Sequence, residues 1–342
     1  MSAQVLQGLL LLILAGGLSA TFSVPMKFTR RWQWENIWGV GSLFALLVGL
    51  STAFVALPDL PSIYRQAAAS TLAATFLFGA GWGAGSILFG LGVHHLGVGL
   101  GVTLILSLNA VIGSVLPLIV RYPDRLFKPI GFALLLGLMI MLVGLGLVGL
   151  AGYLRDQKSA MATEVSSKTF ARGLLFCLAS GLLSPLANFA FVFGEPLKQE
   201  AALTHGGGFA SSTAPWAAAF AGCFGLNVLY CAYLMVAKKS AARLYDADTK
   251  LYWLGALLLG AFWVGAMVLY GWGASQIGDW GPYLGYPTLM INSVVFANVW
   301  GAVLGEWRAA PPTAKRTRSL GLILLVVAFA VFGYASGHLS GT

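Results

Sequence analysis

Acidic chemistry is scarce in this sequence: 11 Asp and Glu among 342 residues, with charged residues of both signs making up only 9%. Glu35, Asp59, Glu195, Asp279 and Glu306 fall at the ends of apolar runs, and the other six lie in the gaps between runs. A charged relay through the middle of a run is therefore excluded. So is a site for an anion, which requires buried Arg or Lys, or for a polycation, which requires a buried carboxylate. Cysteine is almost as rare. Cys177, Cys223 and Cys231 are odd in number and sit inside apolar runs without CxxC or Cys/His spacing, which indicates neither a disulfide framework nor a metal site. There is no HExxH, no Gly-rich phosphate loop and no serine nucleophile motif, which argues against a membrane enzyme, and no cofactor is expected. Long polar stretches are missing too. The gaps, mostly under 20 residues, leave no soluble domain and little room for a receptor role or an obligatory protein partner.

What remains is apolar: 58% hydrophobic residues and a mean hydropathy of +0.83. About 20 apolar residues span the bilayer core, and that ruler finds ten segments, at 5–25, 34–57, 71–93, 97–120, 130–154, 172–194, 212–237, 251–274, 282–304 and 320–338. The expected fold class is an all-α polytopic membrane protein with ten transmembrane helices, the lipid bilayer being its solvent. The first segment imitates a signal peptide, with Leu18-Ser19-Ala20 as a poor cleavage site, but it lacks a basic leading region and is expected to be retained.

The net charge of +9 is spread over the gaps rather than gathered in one patch, so it does not point to nucleic acid. It reads as a topology signal. Lys27, Arg30, Arg31, Arg155, Lys158, Lys168, Arg172, Lys238, Lys239, Arg243, Lys250, Arg308, Lys315, Arg316 and Arg318 collect on one side; Arg65, Arg121, Arg125, Lys128 and Lys198 lie on the other. The positive-inside rule places the first set in the cytoplasm and both termini outside.

Six glycines crowd into FGAGWGAGSILFGLG, residues 78–92, and the segment recurs 181 residues later as LGAFWVGAMVLYGWG, residues 259–273. Gly79, Trp82, Gly90 and Gly92 fall on Gly260, Trp263, Gly271 and Gly273, and Gly97 falls on Gly278. A fainter echo pairs Gly16 with Gly181. Two five-helix units are expected, 1–155 and 172–342, joined by a cytoplasmic linker at 156–171. Since five is odd, the second unit must be inverted, giving a 5+5 inverted-topology repeat. Such halves can exchange conformations and open a site between them to each side in turn, which is how a carrier works. Gly79 and Gly83, Gly81 and Gly85, and Gly260 then serve close helix packing.

The buried polar groups are neutral: Asn109, Asn188, Asn227, Asn292 and Asn298, with Ser86, Thr103, Ser107, Ser184 and Ser293. With Trp82, Trp263, Tyr270 and Tyr286 they make an inventory suited to a small neutral sugar, amides for hydroxyls and flat rings for C–H faces. For any single Asn, an interhelical hydrogen bond is the simpler role. The expected contacts are Trp82, Asn188, Trp263, Tyr270 and Asn292, in a site near the midplane walled by helices 1, 3, 6 and 8 and partly 9.

The segments PMKFTRRWQWENIWGVG (25–41), FLFGAGWGAGSILFGLG (76–92), LGVGLGV (96–102), LYGWG (269–273) and LGEWR (304–308) resemble the bacterial L-rhamnose-proton symporter family of the drug/metabolite transporter superfamily. The resemblance implies a ten-helix protein of the bacterial inner membrane that takes up L-rhamnose with a proton. An exporter of the same superfamily with a different substrate is the second reading. A symporter needs a group that binds the proton. Glu195, beside Pro196 at the outer end of helix 6, is the first candidate, as a carboxylate partly withdrawn from water. His94 and His95, at the cytoplasmic end of helix 3, are the candidates for release. Lys27 and Glu35 make either a gate ion pair or two surface anchors.

Overall fold

The computed structural model describes residues 2–156 and 167–338, and among these the chain forms helices and turns without a strand. Residues 157–166 of the expected linker, with Lys158, lie outside the described residues. The helices are α1 (Ala3–Thr21), α2 (Trp34–Ala56), α3 (Leu60–Gln66), α4 (Ala69–Arg121), α5 (Pro129–Asp156), α6 (Ser167–Leu183), α7 (Leu186–Phe193), α8 (Glu195–His205), α9 (Phe209–Ala237), α10 (Lys250–Ile277), α11 (Gly281–Val303) and α12 (Pro312–His338). Among the described residues nine helical stretches are long and apolar enough to cross a membrane, one of them the 54-residue stretch Lys250–Val303 that contains α10 and α11.

The exterior is apolar and the interior carries the polar groups. Leu10, Leu14, Leu47, Phe132, Met139, Ile323 and Val326 are exposed, whereas Asn36, Asn188, Asn227, Ser180 and Ser211 are fully buried. The interior is itself mainly apolar, so it is the apolar exterior, beside these few buried neutral polar groups, that suits a surface solvated by lipid.

Three breaks shape the bundle. At 1.5 Å per residue, the 53 residues of α4 would reach about 80 Å, far beyond the roughly 30 Å of a bilayer core. The chain turns instead at Gly97, whose φ of 79° suits only a residue without Cβ. Past the turn the two arms meet, since a Cβ on Gly101 would lie 3.2 Å from the Cα of Val93. Gly278, 181 residues on, makes the corresponding turn between α10 and α11 with φ 80°. The third break divides the expected sixth span into α6 and α7 at Ser184-Pro185, because Pro185 has no N–H to continue the helical ladder.

Close backbone approaches hold the helices. A Cβ on Gly79 would stand 2.2 Å from the Ala219 carbonyl oxygen, and one on Gly83 2.6 Å from that of Cys223, both in α9. The opposite face of the same arm presents Gly81 to Leu186 and Gly85 to the Ser184 backbone at the α6–α7 break. Gly260 meets the backbone of α2 at Ala45 and Gly41. Glycine in a helix interior ordinarily costs about 1 kcal/mol relative to Ala, so these positions separate the two effects. Gly222→Ala, whose Cβ would lie 2.2 Å from the Phe76 carbonyl oxygen, is expected to lower the thermal midpoint in detergent, overpacking costing about 1–3 kcal/mol. Gly225→Ala, one turn away with open space around it, should hold or raise it. Equal midpoints for the two variants would contradict the packing.

Candidate functional site

A cavity of about 610 Å³ lies between α1, α2, α4, α5, α10 and α11, with Ser184 and Ala187 from the α6–α7 break in its wall. One wall is aromatic. Phe22, Trp34, Trp38, Trp82 and Trp263 all line it. Trp82 and Trp263 meet edge to face at 5.8 Å and 83°, Trp38 lies 5.1 Å from Trp263, and Trp34 stacks on Trp38 at 5.5 Å. Trp38 is held from behind: its indole N–H donates to Asn227 Oδ1 at 2.7 Å, while the Ser86 hydroxyl, 3.1 Å from that oxygen, has the Gly83 carbonyl as its closer acceptor at 2.7 Å. The Asn227 amide in turn donates to the Cys223 carbonyl at 2.8 Å, so this buried cluster is satisfied and rigid. Among the described residues no hydrogen bond uses the indole N–H of Trp82 or Trp263.

At the deep end, the Tyr286 hydroxyl donates to Asn109 Oδ1 at 2.8 Å, and both residues line the cavity. Beyond them lies a second polar layer. Tyr270, packed 5.6 Å from Tyr286, donates its hydroxyl to Asn188 Oδ1, and the Asn188 amide donates to the carbonyls of Gly113 at 2.7 Å and Pro282 at 3.1 Å. Both Tyr270 and Asn188 are fully buried. Further out, Arg121 donates to the Val192 carbonyl, and Arg125 pairs with Asp279 at 3.1 Å.

The other end of the cavity reaches the surface. Its lining there includes Lys27, Arg155, Glu306 and Trp307. Glu306 bridges the two cations, Oε1 to Lys27 and Oε2 to Arg155 at 3.2 Å, and Arg155 sits 5.0 Å over the Trp307 ring. Lys27 and Glu35 do not pair with each other. Glu35, buried at the start of α2, accepts from Lys238 at 3.0 Å and from Ser240 at 2.9 Å, because α9 rather than the α1–α2 turn ends beside it.

Of the sequence candidates, Trp82 and Trp263 come together in the cavity wall, while Tyr270 and Asn188 bond to each other one layer behind its deep end. Asn292 is not among the lining residues; its amide donates to the Thr288 carbonyl at 2.9 Å and its Cβ packs where Gly16 leaves room. Glu195 opens α8 and pairs with Lys198 at 3.0 Å, outside the lining. His94 and His95 lie just before the Gly97 turn, also outside it, with His95 Nδ1 2.8 Å from the Leu91 carbonyl oxygen. Sequence reasoning passed over Trp38 and the Lys27–Glu306–Arg155 triad. The aromatic density of WQWENIW pointed toward the first, whereas nothing local signals the second.

Apolar spanning helices around a cavity of this size, walled by aromatic rings and neutral amides, make a membrane transport protein rather than an enzyme. The family model of the L-rhamnose-proton symport protein matches residues 1–337, and the chain belongs to that family. It is 26% identical over 341 residues to the L-rhamnose-proton symporter of Klebsiella pneumoniae subsp. pneumoniae, covering 97% of this chain and 98% of the relative. The proteins of the same name from Yersinia pestis (strain Pestoides F) and Yersinia pseudotuberculosis (serotype O:1b) are each 24% identical over 343 residues, again covering 97% of this chain and 98% of the relative.

Proposed function

We propose that the chain takes up L-rhamnose together with a proton across the bacterial inner membrane by alternating access. The observation that carries the reading is the cavity wall itself, where Trp82 and Trp263, equivalent positions of the sequence repeat, meet around a space fit for a small neutral sugar. Ten crossings follow when Lys250–Val303 is divided at Gly278, as α4 is divided at Gly97. The 5+5 inverted repeat is supported by contacts between equivalent positions. Asn109 reaches Met290, 181 residues on, at 3.6 Å. Helix pairing agrees, with α1 on α10 matching α6 on α4, and α2 on α10 matching α9 on α4.

With the basic side inside and both termini periplasmic, the cavity opens to the cytoplasm, and Tyr270, Asn188, Arg121 and Arg125 form the closed outer barrier. Tyr270, Asn188 and Asn292 then reach the sugar when the protein faces outward. Glu195 on the outer side and the His94–His95 pair on the inner side are the proposed points of proton entry and release, and protons are the coupling ion. The test is uptake of labelled L-rhamnose into proteoliposomes with and without an inward proton gradient, competed by other sugars. Gradient-driven accumulation that L-rhamnose competes best is the expected result. Folded protein that accumulates no sugar would refute the import reading and favour the export of another solute.

A further inference from the structure

The deep end of the cavity holds a donor with capacity to spare. Asn109 is 7% exposed and lines the cavity, its Oδ1 occupied by the Tyr286 hydroxyl at 2.8 Å. Its Nδ2 carries two N–H groups, and among the described residues its one partner is the thioether of Met290 at 3.6 Å, a weak acceptor. In a cavity open at one end, that spare N–H capacity is available to water or to an arriving hydroxyl oxygen, and a sugar hydroxyl that takes it gains about 0.5–1.5 kcal/mol net. The amide is not free to turn. Tyr286 is 2% exposed, and its ring edge occupies the space above Gly113, where a Cβ would lie 2.4 Å from Cε1. The ring is thus fixed, and with the Met290 thioether, which can only accept, on the Nδ2 side, the hydroxyl donates to Oδ1. Beside it Met290 presents an apolar surface, and Trp263, Met267 and Val294 belong to the same cavity lining.

We infer that Asn109 is the residue that recognises a hydroxyl of the sugar, and that Tyr286 is its positioning residue. The inference rests on the transport reading above. It also narrows the ligand: one hydroxyl oxygen must reach Nδ2 while the neighbouring carbons of the sugar lie against apolar side chains. A sugar bearing an unsubstituted C–H or methyl edge beside that hydroxyl fits against the Met290 side chain.

The test is calorimetric binding to the full chain in nanodiscs, using L-rhamnose and its singly deoxygenated analogues. For the wild type, one analogue should bind roughly tenfold more weakly, the loss of one neutral hydrogen bond at a buried site. Asn109→Ala should weaken L-rhamnose by that factor and lose nothing further on that analogue. Tyr286→Phe should weaken L-rhamnose roughly threefold and keep the wild-type order of analogues. Met290→Leu, which removes the competing sulfur, should bind as tightly as the wild type or more so. An Asn109→Ala protein that weakens every analogue equally, or none, would overturn the assignment while leaving sugar binding by the wild type intact. A folded wild type that binds none of these sugars would overturn the substrate reading, and the assignment with it.

Discussion

Replacing Trp82 or Trp263 separately with Ala is expected to remove most L-rhamnose binding and uptake. Each ring is 6% exposed, each lines the cavity, and they meet at 5.8 Å from helices α4 and α10. An aromatic anchor of this kind contributes through the face it offers to C–H groups, and each indole also brings an N–H that no described residue uses. Truncation should therefore cost about 2–4 kcal/mol of binding, roughly 30- to 1,000-fold in affinity. Trp82 also packs against Phe220, Phe224 and Trp216, so the Ala variant loses core contacts as well. Phe variants separate the two roles. They keep a ring face and most of the packing but lack the N–H, and about 1 kcal/mol, roughly fivefold, should be lost if that N–H meets the sugar. Binding per mole of folded protein, checked by size-exclusion profile, is the measurement. Wild-type affinity in both Ala variants would remove the aromatic wall from the site.

That pair was legible before any coordinates because it rests on local and periodic signals. Span length followed from apolar runs set against bilayer thickness, and the repeat put Trp82 in register with Trp263 and Gly97 with Gly278. The positive φ at both glycines is the backbone reason the register could be read. The α6–α7 break was carried by Pro185 but was hidden inside a run apolar enough to pass as one helix. Side-chain partners were harder, since they depend on which helix ends become neighbours. Trp38 and Asn227 stand 189 residues apart, and Lys27 and Glu306 279. Lys27 and Glu35 are near in sequence and opposite in charge, yet α2 turns Glu35 toward Lys238 on α9. Helix-end charges carry no periodicity, so their pairing is a property of the bundle rather than of any segment.

Glu306→Gln is expected to widen the mouth of the cavity and, with the basic side inside as proposed, to depress uptake from outside. Glu306 follows α11, Lys27 follows α1, and Arg155 lies in the last turn of α5, so one carboxylate ties three parts of the bundle across the mouth. Neutralising it removes both of these ion pairs at once. The side chains of Lys27, Glu306 and Arg155 are 50%, 35% and 18% exposed, which limits each pair to about 1 kcal/mol or less after screening. Losing both should move the conformational equilibrium by about 1–2 kcal/mol, roughly 5- to 30-fold toward a wider mouth. The readout is a single cysteine at Ser293, a lining position, in a background where Cys177, Cys223 and Cys231 are Ala. Its alkylation by an impermeant maleimide in inside-out vesicles should quicken by about that factor. The wild type at 1 M salt should move in the same direction by less, because partly exposed pairs are only partly screened. Arg31→Ala, which breaks the exposed pair with Asp248 elsewhere on the same side, should change nothing. Faster alkylation in Arg31→Ala as well would mean that loss of any basic-side ion pair loosens the bundle, and the triad would have no particular hold on the mouth. Unchanged alkylation in Glu306→Gln would mean that helix packing alone sets the width of the mouth.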